Sequence, residues 1–369
     1  MSDRLNILMT SGGGPGVVGH IDAARNNGYA PVRMIVGDVS PDENAGFALG
    51  DQAVQIPPAA DPDLADKLLA VCRQHDVDVL WPVFDGELAP LGAARDRFQA
   101  AGIRLLLADE DTVRLCLDKA TFYQRLAETG WAPPFRVVRT PDELRTAAEG
   151  FGYPRRRIAI KPREATGGRG FRVIDADHDA GIAFFAERPD ATTCTMTAAV
   201  EAIAHVNSRG EDGVLVMPFL EGAEHGCDVL ADAGQIVAAV TRRKLPPIRE
   251  GMHTRIVVAE GPAVISIVSR VVEAIGADGL LSVDVREDDE GQLRVLEINP
   301  RAGAYLGMAC ARIDLLGLAL ARLFDQAPAV EAFRRSSEPA VGLRYWSDLV
   351  QVGDQPRVLA CPIGCEIPG

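Results

Sequence analysis

Short apolar runs alternate with segments of helical periodicity over roughly the first 110 residues. The predicted strands run from Leu5 to Thr10, Pro31 to Val36, Val77 to Val83 and Arg104 to Leu107. The predicted helices run from Val17 to Asn27, Leu64 to His75 and Leu88 to Ala101. Buried strands that alternate with helices are typical of a parallel, doubly wound sheet. The pattern therefore predicts an α/β domain over residues 1–110.

The predicted elements become shorter from about Asp111 onward. Helices are expected from Lys119 to Thr129 and from Asp142 to Glu149, with strands from Phe135 to Val138, Arg157 to Lys161 and Phe171 to Ile174. Short strands mixed with short helices are typical of a small α+β unit. We assign this unit to residues 111–190.

Longer strands and two hairpins follow the small unit. Helices are predicted from Thr195 to Asn207, Val264 to Ile275 and Leu315 to Leu323. Strands are predicted from Gly213 to Phe219, Cys227 to Leu230, Gln235 to Thr241, Leu280 to Arg286 and Gln292 to Ile298. The basic stretch from Arg242 to Arg255 is interpreted as a loop. The pattern predicts a larger lobe over residues 191–330 and a C-terminal extension, 331–369, with one strand from Val341 to Trp346.

Composition narrows the class of protein. A chain of 369 residues is long for one core, which favours two or three domains. The net charge of −14 argues against binding to nucleic acid or to an anionic membrane surface. The seven cysteines contain no C-x-x-C pair, and Cys361 and Cys365 lack a nearby histidine, so reduced thiols are expected rather than zinc ligands. Without a leader or a membrane-length apolar run, we expect a soluble, cytoplasmic protein.

A lysine and a glycine-rich loop follow one strand of the small unit. Lys161 ends the strand, and Gly167-Gly168-Arg169-Gly170 comes shortly afterwards. Backbone N–H groups of such a loop can surround anionic oxygens, and the lysine adds a positive charge. The motif predicts a phosphate site, with a hairpin turn beside an exposed lysine as the alternative.

Three oxygen-bearing side chains fall on the second predicted hairpin. Glu297 and Asn299 lie two residues apart on one strand and therefore share a face. Asp284 lies 13 residues before Glu297, so the hairpin can bring the two carboxylates together. Hard oxygen ligands of this kind suit Mg²⁺ that bridges nucleotide phosphates. The two motifs together indicate an ATP-dependent enzyme.

Taken together, these motifs resemble the ATP-grasp superfamily, which contains biotin carboxylase, carbamoyl-phosphate synthase and D-alanine–D-alanine ligase. The resemblance runs from about Met1 to Leu323, and its strongest matches lie between Asp118 and Arg301. It implies a Rossmann-like pre-ATP domain followed by a two-lobed ATP-grasp fold.

The resemblance also implies roles for the nucleotide-binding residues. Lys119 and Lys161 would contact the phosphates, and Gly167, Gly168 and Gly170 would form a flexible loop over them. Met217, Phe219 and Leu220 would form the hinge that reads adenine, and Glu224 would accept the ribose hydroxyls. An exposed hairpin carboxylate is the alternative for Glu224.

The metal and catalytic roles follow from the same resemblance. Glu297 would bridge two Mg²⁺ ions, with Mn²⁺ as the alternative ion, and Asp284 and Asn299 would each bind one ion. Arg301 and Arg243 would hold the transferred phosphate. The implied activity is a carboxylate–amine ligase that forms an amide or peptide bond through an acyl-phosphate. Its partners would be a small carboxylate and a small amine. The sequence leaves the oligomeric state open, with a homodimer as one candidate because dimers are the commonest closed assembly.

Three alternatives remain open at the level of the sequence. A biotin carboxylase-like enzyme would use bicarbonate as the carboxylate, and a nucleotide-binding module would lack turnover. The run Gly14-Pro15-Gly16-Val17-Val18-Gly19, with Asp38 beyond it, also fits the dinucleotide fingerprint of an NAD(P) oxidoreductase. Asp85, Glu87 and His253 have no assigned role.

Overall fold

A computed structural model of the chain describes residues 4–40, 44–164, 169–186, 192–208, 213–249, 252–345, 348–352 and 355–359. Cys361, Cys365 and two glycines of the predicted phosphate loop, Gly167 and Gly168, lie outside these ranges. In the described part of the chain, no helix has the length and apolar character needed to cross a membrane.

The N-terminal domain is a parallel five-stranded sheet in the order β3-β2-β1-β4-β5, which confirms the predicted α/β fold. Its elements are β1 (Leu5–Met9), α1 (Val17–Arg25), β2 (Val32–Asp38), α2 (Ala45–Leu49), β3 (Gln52–Gln55), α3 (Leu64–Gln74), β4 (Val79–Trp81), α4 (Asp85–Ala93), α5 (Arg95–Ala100) and β5 (Arg104–Leu105). Ile7 and Met9 are buried on one face of β1 and Leu8 on the other, as expected for a sheet covered on both sides. The single helix predicted from Leu88 to Ala101 is divided into α4 and α5.

The small lobe is a mixed sheet in the order β6-β10-β7-β8-β9. Two helices lead into it, and its elements are α6 (Glu110–Leu117), α7 (Lys119–Leu126), β6 (Arg136–Val138), α8 (Pro141–Gly150), β7 (Ile158–Pro162), β8 (Arg172–Ile174), α9 (Ala180–Ala186), β9 (Thr193–Cys194), α10 (Met196–Ser208) and β10 (Val214–Pro218). Helix α8 starts at a capping box between Thr140 and Glu143, with Pro141 in its first turn. Because β10 pairs with β6 and β7, this lobe extends to Pro218 rather than ending at residue 190 as predicted.

The large lobe is an antiparallel sheet in the order β15-β14-β11-β12-β13-β16. Its elements are β11 (Glu224–Asp232), β12 (Gln235–Arg249), β13 (Met252–Val258), α11 (Pro262–Ile275), β14 (Gly279–Glu287), β15 (Leu293–Asn299), α12 (Leu306–Ala309), α13 (Leu315–Leu323), a 3₁₀ turn (Val330–Phe333) and β16 (Ala340–Leu343). A separate hairpin, β17 (Asp348–Val352) and β18 (Gln355–Leu359), follows.

Two predictions for the large lobe were wrong. The basic stretch from Arg242 to Arg255 is not a loop, because most of it extends β12 and supplies β13, and the two strands pair antiparallel. The C-terminal extension is not separate from the lobe, because β16 pairs with β13 at the edge of the sheet.

The N-terminal domain is docked on the large lobe through a close glycine contact. A Cβ atom on Gly307 of α12 would lie 2.6 Å from the Cα of Gly19 on α1. Beside this contact, the buried His20 ring lies 2.9 Å from the Gly303 carbonyl oxygen through Nε2. Burial lowers the pKa of His20 to about 4, so the ring is neutral at pH 7. Residues of β1, α1, α12 and α13 share one apolar core, so these two domains form a single packed unit.

Three carboxylates gather at the carboxyl edge of the N-terminal sheet. Asp38 ends β2, Asp85 begins α4, and Glu87 accepts a 2.6 Å hydrogen bond from Thr10 Oγ1. Burial raises the pKa of Glu87 from 4.5 to about 7; the Thr10 hydrogen bond opposes this shift, while the charges of Asp38 and Asp85 add to it. The site that follows β1 and β4 is the switch point of the sheet, where ligands of open α/β folds bind.

Replacing Gly307 with Ala should lower the stability of the protein. The added methyl would overlap the backbone of Gly19, and overpacking of this kind costs about 1–3 kcal/mol. Chemical denaturation of Gly307→Ala measures the change in the free energy of unfolding. Gly150→Ala is the matched control, because the added Cβ meets no atom within 4 Å there. Equal stability of the two variants would contradict the close α1–α12 contact.

Glu87 should make the free energy of unfolding fall as the pH rises from about 4.5 to about 7. In this window the folded protein keeps a proton that the unfolded chain has released, so each pH unit costs up to about 1.4 kcal/mol. Urea unfolding at pH 5, 6, 7 and 8 should show this slope in the wild type and a smaller one in Glu87→Gln. Glu201→Gln, an exposed exchange of the same atoms, should keep the wild-type slope.

Candidate active site

The predicted metal ligands face each other across the β14–β15 hairpin. Asp284 is the register partner of Glu297, and Asn299 pairs with Ser282. The side-chain amide of Asn299 lies 3.5 Å from Glu297 Oε1. Within the described residues, no three histidine, cysteine, aspartate or glutamate side chains gather as a metal site. Two carboxylates and an amide oxygen fit Mg²⁺ whose other ligands are phosphate oxygens and water, which is the usual arrangement for this ion.

A buried lysine lies beside the metal ligands. Lys244 Nζ is 2.8 Å from Asp284 Oδ1 and 2.7 Å from Glu224 Oε1. Burial disfavours the ammonium form, but the Asp284 and Glu224 carboxylates outweigh it and raise the pKa of Lys244 above its usual range. Lys244 therefore stays charged and is held where it can neutralise an anion at the metal site.

A second buried cation supports this arrangement from the floor of the cleft. Arg242 forms a fully buried ion pair with Asp228, and its Nη2 atom lies 3.1 Å from Ser282 Oγ and 3.8 Å from Asp284 Oδ1. The guanidinium fits because β11 has glycine at position 226, where a Cβ would lie 2.6 Å from Arg242 Cζ. The pair holds Arg242 where its positive charge faces Asp284.

Arg243 lies on the opposite face of the sheet from these groups. Neighbouring residues of a strand point to opposite faces, so Arg242 and Lys244 face Asp284 while Arg243 is exposed on the other side. The structure therefore disagrees with the role expected for Arg243. A loop would not determine which way the Arg243 side chain points, whereas its position in strand β12 does.

Glu224 is surrounded by basic side chains at the start of β11. Besides Lys244, His253 Nε2 lies 3.4 Å and Arg286 Nη1 3.7 Å from Glu224 Oε2. Burial alone would raise the pKa of Glu224, but His253 and Lys244 outweigh it and lower the pKa well below its usual range. Glu224 is thus an ionised, mostly buried carboxylate rather than an exposed hairpin residue.

The predicted hinge connects the two sheets. Met217 lies at the end of β10 and is buried, as is Leu220, and Phe219 N donates a 2.9 Å hydrogen bond to Arg157 O. The Phe219 ring contacts two arginines, with the Cζ atoms of Arg157 and Arg286 at 4.6 and 4.7 Å from its centroid. The hinge is therefore anchored to both lobes by backbone and aromatic contacts.

The two small-lobe lysines are brought to the same cleft by an ion pair. Asp118 caps α7 and binds Arg163 in two-pronged geometry, at 2.7 Å from Nε and 2.6 Å from Nη2. This pair fastens the start of α7, which carries Lys119, to the end of β7, which carries Lys161. Burial lowers the pKa of both lysines, and the charge of Glu297 opposes the shift in both. The lysines of one lobe therefore face the metal ligands of the other.

The described part of the glycine-rich loop turns at Gly170. Its φ angle is +74°, and a Cβ there would lie 2.6 Å from Pro162 Cγ, so only glycine fits without strain. The contact brings the end of the loop back against β7 beside Lys161.

Arg301 connects the strand that carries the predicted metal ligands to the N-terminal domain. Its Nε and Nη2 atoms lie 2.5 and 3.0 Å from the two oxygens of buried Asp85, and Nη1 donates to Ala302 O at 3.0 Å. Asp85, which had no assigned role, is therefore the partner of the arginine that follows the metal ligands.

The N-terminal glycines pack against protein where a dinucleotide would have to lie. In the dinucleotide fingerprint the second glycine lets the pyrophosphate approach the backbone. Here a Cβ on Gly16 would lie 2.9 Å from the Cα of Ala304, and Gly19 contacts Gly307. The fingerprint is thus explained by domain docking, which removes the main support for an NAD(P) oxidoreductase.

Sequence reasoning missed Lys244, Asp85 and Arg163 as parts of the site. Lys244 was visible only as one of several basic residues, and its direction depends on the strand register. Asp85 and Arg163 act through partners far away in the sequence, and no local pattern indicates such pairs.

Two protein-family models match the chain. Residues 7–106 match the family described as "PylC-like, N-terminal domain". Residues 211–341 match the family described as "ATP-grasp in the biosynthetic pathway with Ter operon". The first match covers the parallel N-terminal sheet, and the second covers the hinge, the metal ligands and Arg301.

Three characterised relatives share 22–24% of their aligned residues with the chain. The arginine-specific large chain of carbamoyl phosphate synthase from Bacillus subtilis is 22% identical over 289 residues, which is 73% of this chain and 25% of that protein. VanA from Enterococcus faecium is 24% identical over 294 residues, 72% and 77% of the two chains. D-alanine–D-alanine ligase from Geobacter sulfurreducens is 24% identical over 259 residues, 65% and 72%. The match thus spans about a quarter of the synthase large chain and about three quarters of the other two.

Solved structures share the fold at low identity. The biotin carboxylase domain of 2-oxoglutarate carboxylase from Hydrogenobacter thermophilus, solved with MgADP and bicarbonate, has a TM-score of 0.66 at 16% identity and covers 91% of this chain and 73% of its own. An L-amino acid ligase from Bacillus licheniformis has a TM-score of 0.63 at 16% identity, with 95% and 83% covered. Together with the two family models, these similarities show an ATP-grasp fold, with the ATP-grasp family match over residues 211–341 and the PylC-like match over residues 7–106.

Proposed function

We propose that the protein is an ATP-dependent carboxylate–amine ligase. One arrangement carries the proposal. Asp284 and Glu297 face each other across one hairpin, and Lys119 and Lys161 of the other lobe are directed at the same cleft. Acidic ligands on one side and ammonium groups on the other are the pairing that Mg²⁺ and a nucleotide triphosphate require.

The nucleotide would lie between the two sheets. Lys119 and Lys161, with Gly167, Gly168 and Gly170, would contact the phosphates. The backbone of Met217, Phe219 and Leu220 would contact adenine, and Glu224 the ribose hydroxyls. Glu297 would bridge two Mg²⁺ ions, with Asp284 and Asn299 binding one each; when bound, the ions neutralise phosphate charge and orient the γ-phosphate.

The reaction would proceed in two transfers. A carboxylate oxygen attacks the γ-phosphorus of ATP, which gives an acyl-phosphate and releases ADP. The amine nitrogen then attacks the acyl carbon, the carbon–oxygen bond to phosphate breaks, and the amine loses a proton as the amide forms. Catalysis of this kind rests on positioning and charge stabilisation, and closure of the lobes would exclude water from the acyl-phosphate.

Arg301 and Lys244 are the groups best placed to hold the transferred phosphate. Asp85 and the Ala302 carbonyl oxygen accept from three of the five N–H groups of Arg301, which leaves one on Nη1 and one on Nη2 for a substrate. Lys244 replaces Arg243 in this role, because, of these two neighbours, it is Lys244 that faces Asp284.

Relatives support the same reaction class. One is a D-alanine–D-alanine ligase, and one structural neighbour is an L-amino acid ligase. Another neighbour was solved with MgADP and bicarbonate, which keeps a bicarbonate-using reaction as an outcome of the test. The homodimer and the location in the cytoplasm stay predictions.

ADP release from Mg·ATP should depend on a carboxylate and an amine. We would measure ADP with pooled amino acids and small carboxylates, with bicarbonate in a separate arm, and determine product masses. A product with the mass of two substrates less water establishes the ligase. ADP release only with bicarbonate would replace the ligase by a carboxylase, and ATP binding without ADP in any arm would argue against both.

Glu297→Gln tests the metal assignment in the same assay. Loss of the bridging carboxylate should lower turnover by about 1000-fold, as for the loss of a main charge-stabilising group in other active sites. Glu290→Gln, in the exposed turn of the same hairpin, is the matched control and should keep wild-type turnover.

Lys244→Met and Arg243→Met form a second matched pair. The neighbours carry the same charge but face opposite sides of the sheet, so Lys244→Met should lower turnover by about 100-fold. Arg243→Met should change turnover less than twofold. A larger loss in Arg243→Met than in Lys244→Met would restore the role that the sequence analysis gave to Arg243.

A further inference from the structure

Three groups from three elements meet immediately before Glu297. Lys161 at the end of β7 donates to Tyr123 Oη at 2.8 Å and to Leu296 O at 3.1 Å. Tyr123, on α7, itself donates to Leu296 O at 2.7 Å. Leu296 lies on β15 in the large lobe, so the cluster joins the two lobes beside the metal ligand.

The hydrogen-bond pattern of Tyr123 has one consistent arrangement. The phenol has a single proton, which goes to the Leu296 carbonyl, and a lone pair of the same oxygen accepts from Lys161. The Lys161 ammonium also lies 4.8 Å from the centroid of the Tyr123 ring. Two of its three N–H donors are thereby used, and among the described residues no group takes the third.

Helix α7 brings Tyr123 and Lys119 to the same side of the cleft. The two residues are four positions apart and therefore lie on one face of the helix. The start of the helix is fastened to the end of β7 by the ion pair of Asp118 with Arg163. One helix thus carries one of the two ammonium groups and contacts the other.

We infer that Tyr123 is a positioning residue, which holds Lys161 at the junction of the lobes with one N–H donor directed to a nucleotide phosphate. This inference rests on the proposed nucleotide site. The Tyr123 side chain is fully buried, and a core position needs no hydroxyl group for packing, as the adjacent Phe122 shows. The hydroxyl group is explained by its contact with the ammonium group.

Tyr123→Phe should weaken binding of Mg·ATP but not of adenosine. The variant keeps the ring and removes one hydrogen bond to a charged group, which corresponds to about a tenfold rise in the Kd for Mg·ATP. Calorimetry with Mg·ATP and with adenosine on the same protein gives a ratio of affinities that does not depend on the folded fraction. Tyr29→Phe, which removes the same atom in the N-terminal domain, is the matched control and should leave both affinities unchanged.

A double-mutant cycle with Lys161→Met separates positioning from a structural role. If Tyr123 acts through Lys161, adding Tyr123→Phe to Lys161→Met should cause no further loss of Mg·ATP affinity. Additive losses, an equal loss for adenosine, or wild-type affinity in Tyr123→Phe would each overturn the inference while the nucleotide site stands. Failure of the wild type to bind Mg·ATP would overturn the proposed function and this inference with it.

Discussion

The pairing of β14 with β15 is the constraint on which the site depends. This register places Asp284 opposite Glu297 and leaves two carboxylates close together. The charge of Asp284 is balanced by Lys244 and by the buried Arg242, because uncompensated charge in a protein interior would be costly. In the proposed site, Lys244 would be available to a phosphate where Asp284 binds Mg²⁺.

The three sheets are joined in unequal ways. The N-terminal domain and the large lobe share an apolar core and a glycine contact too close for any side chain. The small lobe has its own core on one face of its sheet, whereas Ala159, Leu215 and Met217 on the other face join an apolar core shared with the large lobe. The hydrogen bonds of Lys161 and the Tyr123 hydroxyl add polar contacts beside the site.

Local patterns predicted much of the fold and the polar residues of the cleft. The alternating strands and helices, the β14–β15 hairpin and the helix α11 all have short-range signals. No short-range signal showed which residues of β12 face the cleft, because a basic stretch with two prolines is typical of a loop. For this reason the sequence analysis selected Arg243 rather than Lys244. The glycines of the first turn were equally ambiguous, since close packing and pyrophosphate binding need the same residue.

The sequence by itself supplied the residue types from which the chemistry is predicted: a lysine and glycine loop for phosphate, and oxygen-bearing side chains spaced on one strand for a metal. The tertiary structure decided which basic side chains lie beside these groups. Lys244, Asp85 and Tyr123 take their positions from strand register and from contacts between domains, such as that of Asp85 with Arg301. Short-range spacing follows from backbone geometry alone, whereas partners distant in sequence are selected by packing of the whole chain.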